Sequence, residues 1–370
     1  MNPTQRVEPS HVAMSDAALV RQATTRRRAL PVLCQRVAER LGSTVLAVLL
    51  AACAAPAPLS TSSPTAPMLL TPTAIAAPSE TPMPTETPAG TLEEHAYESA
   101  LLGRAQRYAV YLPAGYAETT VTYPLAILLH GRGDNLASWA RVAPELDALI
   151  AAGEVPPLVA VFPDAPSSER AGYYVDSAYT GGDAPGAALE TAFFVELMPH
   201  IEASYRVHAD RAGRLIGGYS MGGFGALRYA LAYPEVFGAA LVLSPAVYTP
   251  LPPADSSTRE FGAFGRGEML FVDAIYERLN YPALVNDFAT SGLTLRLFIA
   301  VGDDEYKNPD PADALHDIDL EAHLVFNRLV RVPNISAEFR VLDGGHGWDV
   351  WTPAFVAGAR YLGPTLKPPE

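Results

Sequence analysis

A serine set between glycines, at the junction of a strand-like and a helix-like segment, constrains the fold more than any other feature. The junction reads Gly217-Gly218-Tyr219-Ser220-Met221-Gly222-Gly223 and follows the apolar run that starts at Arg214. So tight a turn from strand to helix leaves no space for side chains at Gly218 and Gly222. The context predicts a nucleophile elbow, with Ser220 at a helix N-terminus, where the helix dipole favours developing negative charge.

Strand-like and helix-like segments alternate from about Leu92 onward. Continuous apolar runs are typical of buried parallel strands, and the predicted strands are Arg107–Leu112, Leu125–Leu129, Leu158–Phe162, Arg214–Gly218, Phe237–Leu243, Leu295–Val301 and Ser336–Leu342. The predicted helices are Pro144–Ala152, Ala187–Ser204, Gly222–Tyr233, Leu315–Val332 and Val350–Leu362. This order predicts one α/β domain, with a mostly parallel central sheet and helices on both faces. The aromatic-rich stretch 247–292 interrupts the alternation, and we expect it to form an excursion over the active site.

A serine hydroxyl becomes an effective nucleophile only when a base accepts its proton. Of the eight His residues, His346 is the candidate base because it lies in a Gly-rich segment after the last predicted strand. In a fold built on this elbow the acid precedes the base in the chain. We therefore expect the acid after the strand that ends at Val301, where Asp303, Asp304 and Glu305 are consecutive. Spacing alone does not choose among these three carboxylates.

The segment His130-Gly131-Arg132-Gly133 directly follows a predicted buried strand. A turn of this type supplies one backbone N–H to an oxyanion hole, and the residue after the nucleophile supplies another. The predicted oxyanion donors are therefore the N–H of Met221 and the N–H of Gly131 or Arg132. We expect the side chain of His130 to have a structural role.

The first 53 residues are typical of a bacterial export signal. An Arg-rich stretch precedes an apolar run that is too short to span a bilayer. The run ends in Leu50-Ala51-Ala52-Cys53, which looks like a lipobox, so Cys53 is the predicted lipidation site and secretion without a lipid is the alternative. Residues 54–90 are nearly all Ala, Pro, Ser and Thr, which predicts a flexible stalk. The catalytic domain is predicted to span 91–370.

Charge and cysteine content exclude several classes of function. The full chain has a net charge of −14, and the part after Cys53 has −18, because residues 1–53 hold seven Arg and three acidic residues. Such a charge argues against nucleic acid and against electrostatic attachment to anionic lipid, so we expect membrane attachment only through a lipid at Cys53. The chain holds two Cys and no Cys/His cluster with zinc spacing. We expect no metal and no organic cofactor.

Several motifs recur in the order of a known family. They are Val110-Tyr111-Leu112-Pro113, Leu129-His130-Gly131 with Gly133 and Trp139, Val161-Phe162-Pro163-Asp164, Glu196 to Glu202, the Ser220 motif, Leu243-Ser244-Pro245, and Gly344-Gly345-His346 with Trp348. Through nearly all of 95–362 the chain resembles the putative-esterase family. That family includes S-formylglutathione hydrolase, feruloyl, acetyl-xylan and enterochelin esterases, and the mycolyltransferases.

The resemblance implies the α/β-hydrolase fold and hydrolysis of carboxylic esters through an acyl-enzyme. It places the acid three residues after the glycine that ends the strand, at Glu305. The family more often has Asp there, so Asp304 remains an alternative. Trp139, Tyr219 and Tyr306 are candidates for contact with a small-molecule or polysaccharide-linked ester.

Two other functions remain open at this point. The resemblance to the mycolyltransferases permits acyl transfer, in which a sugar or lipid hydroxyl replaces water. A surface binding protein without catalytic activity is the second alternative, and the presence of Ser220, His346 and a carboxylate cluster argues against it.

Overall fold

A computed structural model describes residues 89–165, 172–182, 185–307 and 316–370. The predicted export signal, Cys53 and all but the last two residues of the predicted stalk lie outside these ranges.

The centre of the structure is an eight-stranded sheet. Its strands are β1 (Thr91–Ser99), β2 (Arg104–Leu112), β3 (Leu125–Leu129), β4 (Val159–Pro163), β6 (Arg214–Tyr219), β7 (Ala239–Leu243), β9 (Leu295–Gly302) and β10 (Ile335–Leu342). They lie in the order β1-β2-β4-β3-β6-β7-β9-β10. The pairs β1–β2 and β2–β4 are antiparallel, and every pair from β4 to β10 is parallel. The predicted mostly parallel sheet is confirmed.

Helices cover both faces of this sheet. They are α1 (Ala143–Ala151), α2 (Leu189–Ala192), α3 (Met198–Ser204), α4 (Met221–Ala232), α5 (Asp273–Leu279), α6 (Tyr281–Thr290), α7 (Ile318–Leu329) and α8 (Trp348–Leu362). A π-helical turn, Phe193–Leu197, joins α2 to α3 where the sequence predicted one continuous helix. One apolar core packs α3, α4, α6 and α7 on the sheet, and a second core packs α1 and α8 on its other face.

The central strands form because their side chains are apolar on both faces. All residues of β3, β4, β6 and β7 are buried, which is the burial expected of parallel strands between two helix layers. Their carboxyl ends meet at one edge of the sheet, where ligand sites of open α/β sheets lie. That edge carries the segment after β6 and the segment after β9.

The stretch 247–292 forms the predicted excursion. It contains α5, α6 and the short strand β8 (Arg266–Gly267), which pairs with β5 (Ala178–Tyr179) outside the main sheet. Buried aromatic side chains attach it to α4, with Phe264 in contact with both Phe224 and Tyr276. In the described ranges, no helix combines the length and the apolar character that crossing a bilayer requires.

Candidate active site

The turn from β6 to α4 carries Ser220 in a rare backbone conformation. Its φ is 54° and its ψ is −120°, and α4 begins at the next residue. A Cβ at Gly218 would lie 2.3 Å from the carbonyl oxygen of Gly222. A Cβ at Gly222 would lie 2.1 Å from the carbonyl oxygen of Leu129. The turn closes only because both positions are glycine, and it lifts the side chain of Ser220 away from the buried strand.

His346 reaches Ser220 from the segment between β10 and α8. Its Nε2 lies 2.9 Å from Ser220 Oγ, although the two residues are 126 positions apart in the chain. About a third of the His346 side chain is exposed, so the pair faces solvent. This is the contact that a nucleophile and its base require.

Of the three consecutive carboxylates after β9, Glu305 is the one that contacts His346. Its Oε2 lies 2.6 Å from His346 Nδ1, and its side chain is completely buried. Asp303 instead accepts the backbone N–H of Gly344, and Asp304 is exposed at the surface of the turn. The structure therefore brings Ser220, His346 and Glu305 into one chain of contacts and leaves Asp304 outside it.

The second oxygen of Glu305 is also bonded. Its Oε1 accepts the Ser244 hydroxyl at 2.5 Å and the Gly302 backbone N–H at 2.8 Å. Ser244 Oγ in turn accepts the indole N–H of Trp351 at 2.9 Å. Sequence reasoning missed Ser244 and Trp351 as site residues. The position of Ser244 directly after β7, at the carboxyl edge of the sheet, was the available signal.

The predicted oxyanion turn lies beside Ser220. A Cβ at Gly131 would lie 3.3 Å from the Cβ of Ser220. Met221 is the first residue of α4, and the first N–H groups of a helix have no partner within it. The segments that carry the predicted oxyanion donors thus both adjoin Ser220.

His130 is fully buried and holds this turn in place. Its Nε2 accepts the Ala165 N–H at 2.8 Å, so the ring proton is on Nδ1, which donates to the carbonyl oxygen of Gly131 at 2.8 Å. Both ring nitrogens are used in the fold. This agrees with a structural role for the side chain.

Two of the predicted substrate contacts require correction. Trp139 and Tyr219 are both fully buried in the core that contains α1 and α8, where their rings contact each other. Tyr219 is the last residue of β6 and its side chain lies in the core on one face of the sheet. Its hydroxyl donates to Asp134 at 2.7 Å, and burial raises its pKa well above the usual value. Neither ring is accessible to a substrate.

Tyr306 is about half exposed and lines a cleft that reaches His346. The cleft has a volume of about 900 Å³. Its described lining combines aromatic and charged side chains: Tyr248, Asp304, Tyr306, Lys307, His316 and His346. Tyr248 comes from the 247–292 excursion, which the sequence had suggested for this location. Within the described residues, no group of three or more His, Cys, Asp or Glu side chains is arranged to hold a metal ion.

Comparison with known proteins identifies similar chains. The sequence model of the family described as "Putative esterase" matches residues 99–362. An esterase of Mycobacterium tuberculosis is 33% identical over 150 residues, which are 39% of this chain and 30% of that protein. An endo-1,4-beta-xylanase/feruloyl esterase of Xylanibacter ruminicola is 30% identical over 169 residues, which are 44% of this chain and 22% of that protein. The chain thus covers less than a third of the length of these curated relatives.

A solved structure of a ferulic acid esterase superimposes with a TM-score of 0.59. It is 26% identical in sequence, and the match covers 75% of this chain and 99% of the other. The fold is that of the α/β-hydrolase esterases.

Proposed function

Because the chain belongs to the putative-esterase family, we propose that it is a serine esterase that hydrolyses carboxylic esters through an acyl-enzyme. One observation carries the proposal: the continuous contact from Ser220 Oγ to His346 Nε2 and from His346 Nδ1 to Glu305 Oε2. A surface binding protein would have no need of this arrangement, which aligns a nucleophile, a base and a buried acid.

In the proposed reaction, Ser220 Oγ attacks the ester carbonyl carbon while His346 Nε2 takes the hydroxyl proton. The carbonyl oxygen becomes an oxyanion that accepts hydrogen bonds from the N–H of Met221 and from that of Gly131 or Arg132. Preorganised donors of this kind contribute about 2.7–4 kcal/mol each to transition-state stabilisation. His346 then gives the proton to the leaving alcohol, and the acyl group remains on Ser220.

Water completes the cycle. His346 Nε2 removes a proton from a water molecule, whose oxygen attacks the acyl carbon and releases the carboxylic acid. Glu305 accepts the Nδ1–H of His346 in both halves of the reaction, so it keeps Nε2 as the acceptor and stabilises the imidazolium. All bonds are made by groups of this chain, the ester and water.

The test uses the full-length protein with a fluorophosphonate probe and nitrophenyl esters of increasing acyl length, together with methyl ferulate. We expect covalent labelling of Ser220, read by mass spectrometry of the labelled peptide, and turnover of short esters. Ser336, an exposed serine of β10, provides the matched control, since Ser336→Ala should keep labelling and turnover. Labelling without turnover of any ester would favour acyl transfer. A protein that neither reacts nor turns over would contradict the proposal.

We further propose that the enzyme is exported and held at the cell surface by a lipid on Cys53. The support is the Arg-rich leader, the short apolar run, the sequence Leu50-Ala51-Ala52-Cys53 and the Pro- and Thr-rich residues 54–90. A diacylated cysteine gives stable anchoring, whereas one acyl chain binds only marginally. The stalk would hold the cleft clear of the membrane, where a polysaccharide-linked ester could reach it.

A further inference from the structure

The hydrogen bonds around Glu305 continue beyond the three residues of the proposed mechanism. Trp351 Nε1 bonds Ser244 Oγ, Ser244 Oγ bonds Glu305 Oε1, and Glu305 Oε2 bonds His346 Nδ1. The chain then reaches Ser220 through His346 Nε2. It therefore links a tryptophan of α8 to the nucleophile of the β6–α4 turn through four consecutive hydrogen bonds.

The chemistry of Trp351 fixes the direction of both side-chain hydrogen bonds of Ser244, and the ionised carboxylate of the proposed mechanism fixes the rest. An indole N–H can only donate, so Ser244 Oγ must accept from it. The single hydroxyl proton of Ser244 is then directed at Glu305, which acts as acceptor on Oε1. On Oε2 the carboxylate is also the acceptor, so the proton of the imidazole lies on Nδ1. His346 Nε2 is left as an acceptor for the hydroxyl of Ser220, which is the tautomer that a base needs.

Burial makes this arrangement rigid. Ser244 is fully buried, and its backbone N–H donates to the carbonyl oxygen of Ala300 at 2.7 Å, beyond the end of β7. Trp351 is 6% exposed and stacks on Tyr219 with ring centroids 4.3 Å apart. The same indole meets the ring of His346 edge to face, with centroids 5.0 Å apart. Trp351 therefore contacts the base directly and orients the acid through Ser244.

We propose that Ser244 and Trp351 are positioning residues of this esterase: they fix the rotamer of Glu305 and, through it, the tautomer and orientation of His346. The inference rests on the proposed function for its kinetic consequences. A glutamate has one more rotatable bond than the aspartate usual in the family, so the carboxylate needs more support to stay in one orientation. The donors on Oε1, from Ser244 and the Gly302 backbone, supply that support.

The test compares Ser244→Ala, Trp351→Phe and the double variant in the full-length protein. Each single change should lower kcat about tenfold with little effect on KM, since the cleft is unchanged. Ser244→Ala removes a hydrogen bond to the Glu305 carboxylate, and Trp351→Phe removes the donor that directs the Ser244 hydroxyl at that carboxylate. The double variant should be no worse than the poorer single variant, because both changes break one chain. The kcat/KM–pH profile should also differ from that of the wild type, since the carboxylate that faces His346 Nδ1 is no longer held in one orientation.

Trp139→Phe is the matched control. Trp139 is a buried tryptophan whose indole N–H has no hydrogen-bond partner among the described residues, so the change removes a similar volume without breaking a hydrogen bond. It should lower stability to a similar degree as Trp351→Phe and leave the pH profile unchanged. If Trp351→Phe fails to fold, Ser244→Ala still tests the proposal, because it removes a single oxygen atom.

A proton NMR measurement separates this inference from the proposed function. The Nδ1–H of His346 should give a strongly downfield resonance in the wild type, and it should move upfield in Ser244→Ala and Trp351→Phe but not in Trp139→Phe. The positioning role would be overturned if Ser244→Ala and Trp351→Phe both matched Trp139→Phe in the resonance, in kcat and in the pH profile. A wild type that shows the expected resonances but neither hydrolyses esters nor reacts with fluorophosphonate would instead overturn the proposed function.

Discussion

At the scale of single residues, Ser220 has a backbone conformation that is uncommon for a residue with a side chain. Ser220 has a positive φ, which costs on the order of 1–3 kcal/mol and persists only where the surrounding structure enforces it. Here β6 and α4 enforce it from either side, helped by the bond from Ser220 N to the carbonyl oxygen of Leu243. Strain of this kind is common at catalytic residues, where it holds a reactive atom in place.

Ser220→Ala separates reactivity from stability. Alanine has the same backbone preference, and only the hydroxyl that contacts His346 is lost. We expect turnover to fall by roughly a millionfold, as when a catalytic serine is removed from another triad enzyme. The free energy of unfolding, measured by urea titration, should change by less than about 0.5 kcal/mol. A large loss of stability would mean that Ser220 is part of the fold and not the nucleophile.

Glu305→Gln and Asp304→Asn test which carboxylate is the acid. The amide at position 305 would present an NH₂ group or a weaker acceptor to His346 Nδ1, so the wrong tautomer becomes favoured. We expect kcat to fall by roughly ten-thousandfold for Glu305→Gln, the size of the loss in an analogous triad. Asp304 is exposed and outside the chain of contacts, so Asp304→Asn should stay close to wild type in steady-state kinetics. The opposite ranking would move the acid to Asp304.

Sequence motifs could predict residues whose role is fixed by local context, and could not predict those fixed by three-dimensional packing. Ser220 and His346 each lie in a glycine-rich segment, and such a segment indicates a tight turn that leaves no space for side chains. Spacing could not separate Glu305 from Asp304, because consecutive residues on a loop point in different directions. Tyr219 adjoins Ser220 in the chain, but it is the last residue of β6 and its side chain lies in the core, whereas Ser220 lies in the turn that follows.

At the scale of elements, a buried ion pair holds α4 against α2. Arg228 and Glu190 are both less than a tenth exposed, and the guanidinium contacts both carboxylate oxygens, at 2.7 and 2.9 Å. Tyr233 also donates to Glu190 at 2.6 Å. Since α4 begins directly after Ser220, this pair helps to set the position of the helix that carries the Met221 N–H.

Arg228→Ala should therefore be costly. It leaves the buried Glu190 carboxylate without its cation, and the expected loss of unfolding free energy is about 3–5 kcal/mol. Arg360→Ala is the control: Arg360 pairs with Glu154 at the surface, where ion pairs contribute less than about 1 kcal/mol. Chemical denaturation of both variants checks the difference. Equal losses of unfolding free energy in the two variants would show that the buried pair contributes no more to stability than the surface pair.

The central strands could be predicted because a short, continuous apolar run has few possible structures other than a buried strand in a chain of this composition. β1 was missed for the opposite reason. It is an edge strand, Thr91–Ser99, with mostly exposed residues, so its sequence carries no apolar pattern, and its backbone pairing with β2 defines it. The π-helical turn within the α2–α3 segment also has no sequence signal, because its extra residue is accommodated by packing.

At the scale of the whole molecule, one buried carboxylate makes stability depend on pH. Glu321 on α7 is completely buried, and burial raises its pKa above the ordinary value of 4.5, against the opposing effect of His316. Between pH 4.5 and this raised pKa, Glu321 therefore keeps its proton in the folded protein and loses it in the unfolded chain. The contribution is most favourable below pH 4.5 and is lost as pH rises through the raised folded value.

Glu321→Gln should remove this dependence. The amide oxygen can still accept the Thr249 N–H, which bonds Glu321 at 2.8 Å in the wild type, and it carries no charge to bury. We expect the unfolding free energy of the variant to fall less than that of the wild type as pH rises from 4.5, in urea titrations at a series of pH values. Glu118→Gln, at an exposed position, should follow the wild-type curve. If the unfolding free energy of Glu321→Gln depended on pH in the same way as that of the wild type, the assignment to Glu321 would be wrong.

Cys53→Ser tests the proposed attachment of the molecule to a membrane. Serine cannot form the thioether that carries the lipid, so the variant should leave the membrane fraction, as measured by fractionation and immunoblotting of the producing cells. Export itself should persist, since the Arg-rich and apolar segments are unchanged. A variant that stays with the membrane would remove lipidation at Cys53 from the proposal.

The positions of Ser220 and His346 have a consequence for when the molecule can react. The 126-residue separation means that a long loop must close before the two atoms meet, and the closing segment follows β10, at the far end of the sheet. Closing a loop of this length costs chain entropy, so the contact depends on the rest of the fold. On the proposed mechanism, a nascent or partly unfolded chain holds an unreactive hydroxyl, and we expect fluorophosphonate to label only those molecules whose sheet is complete.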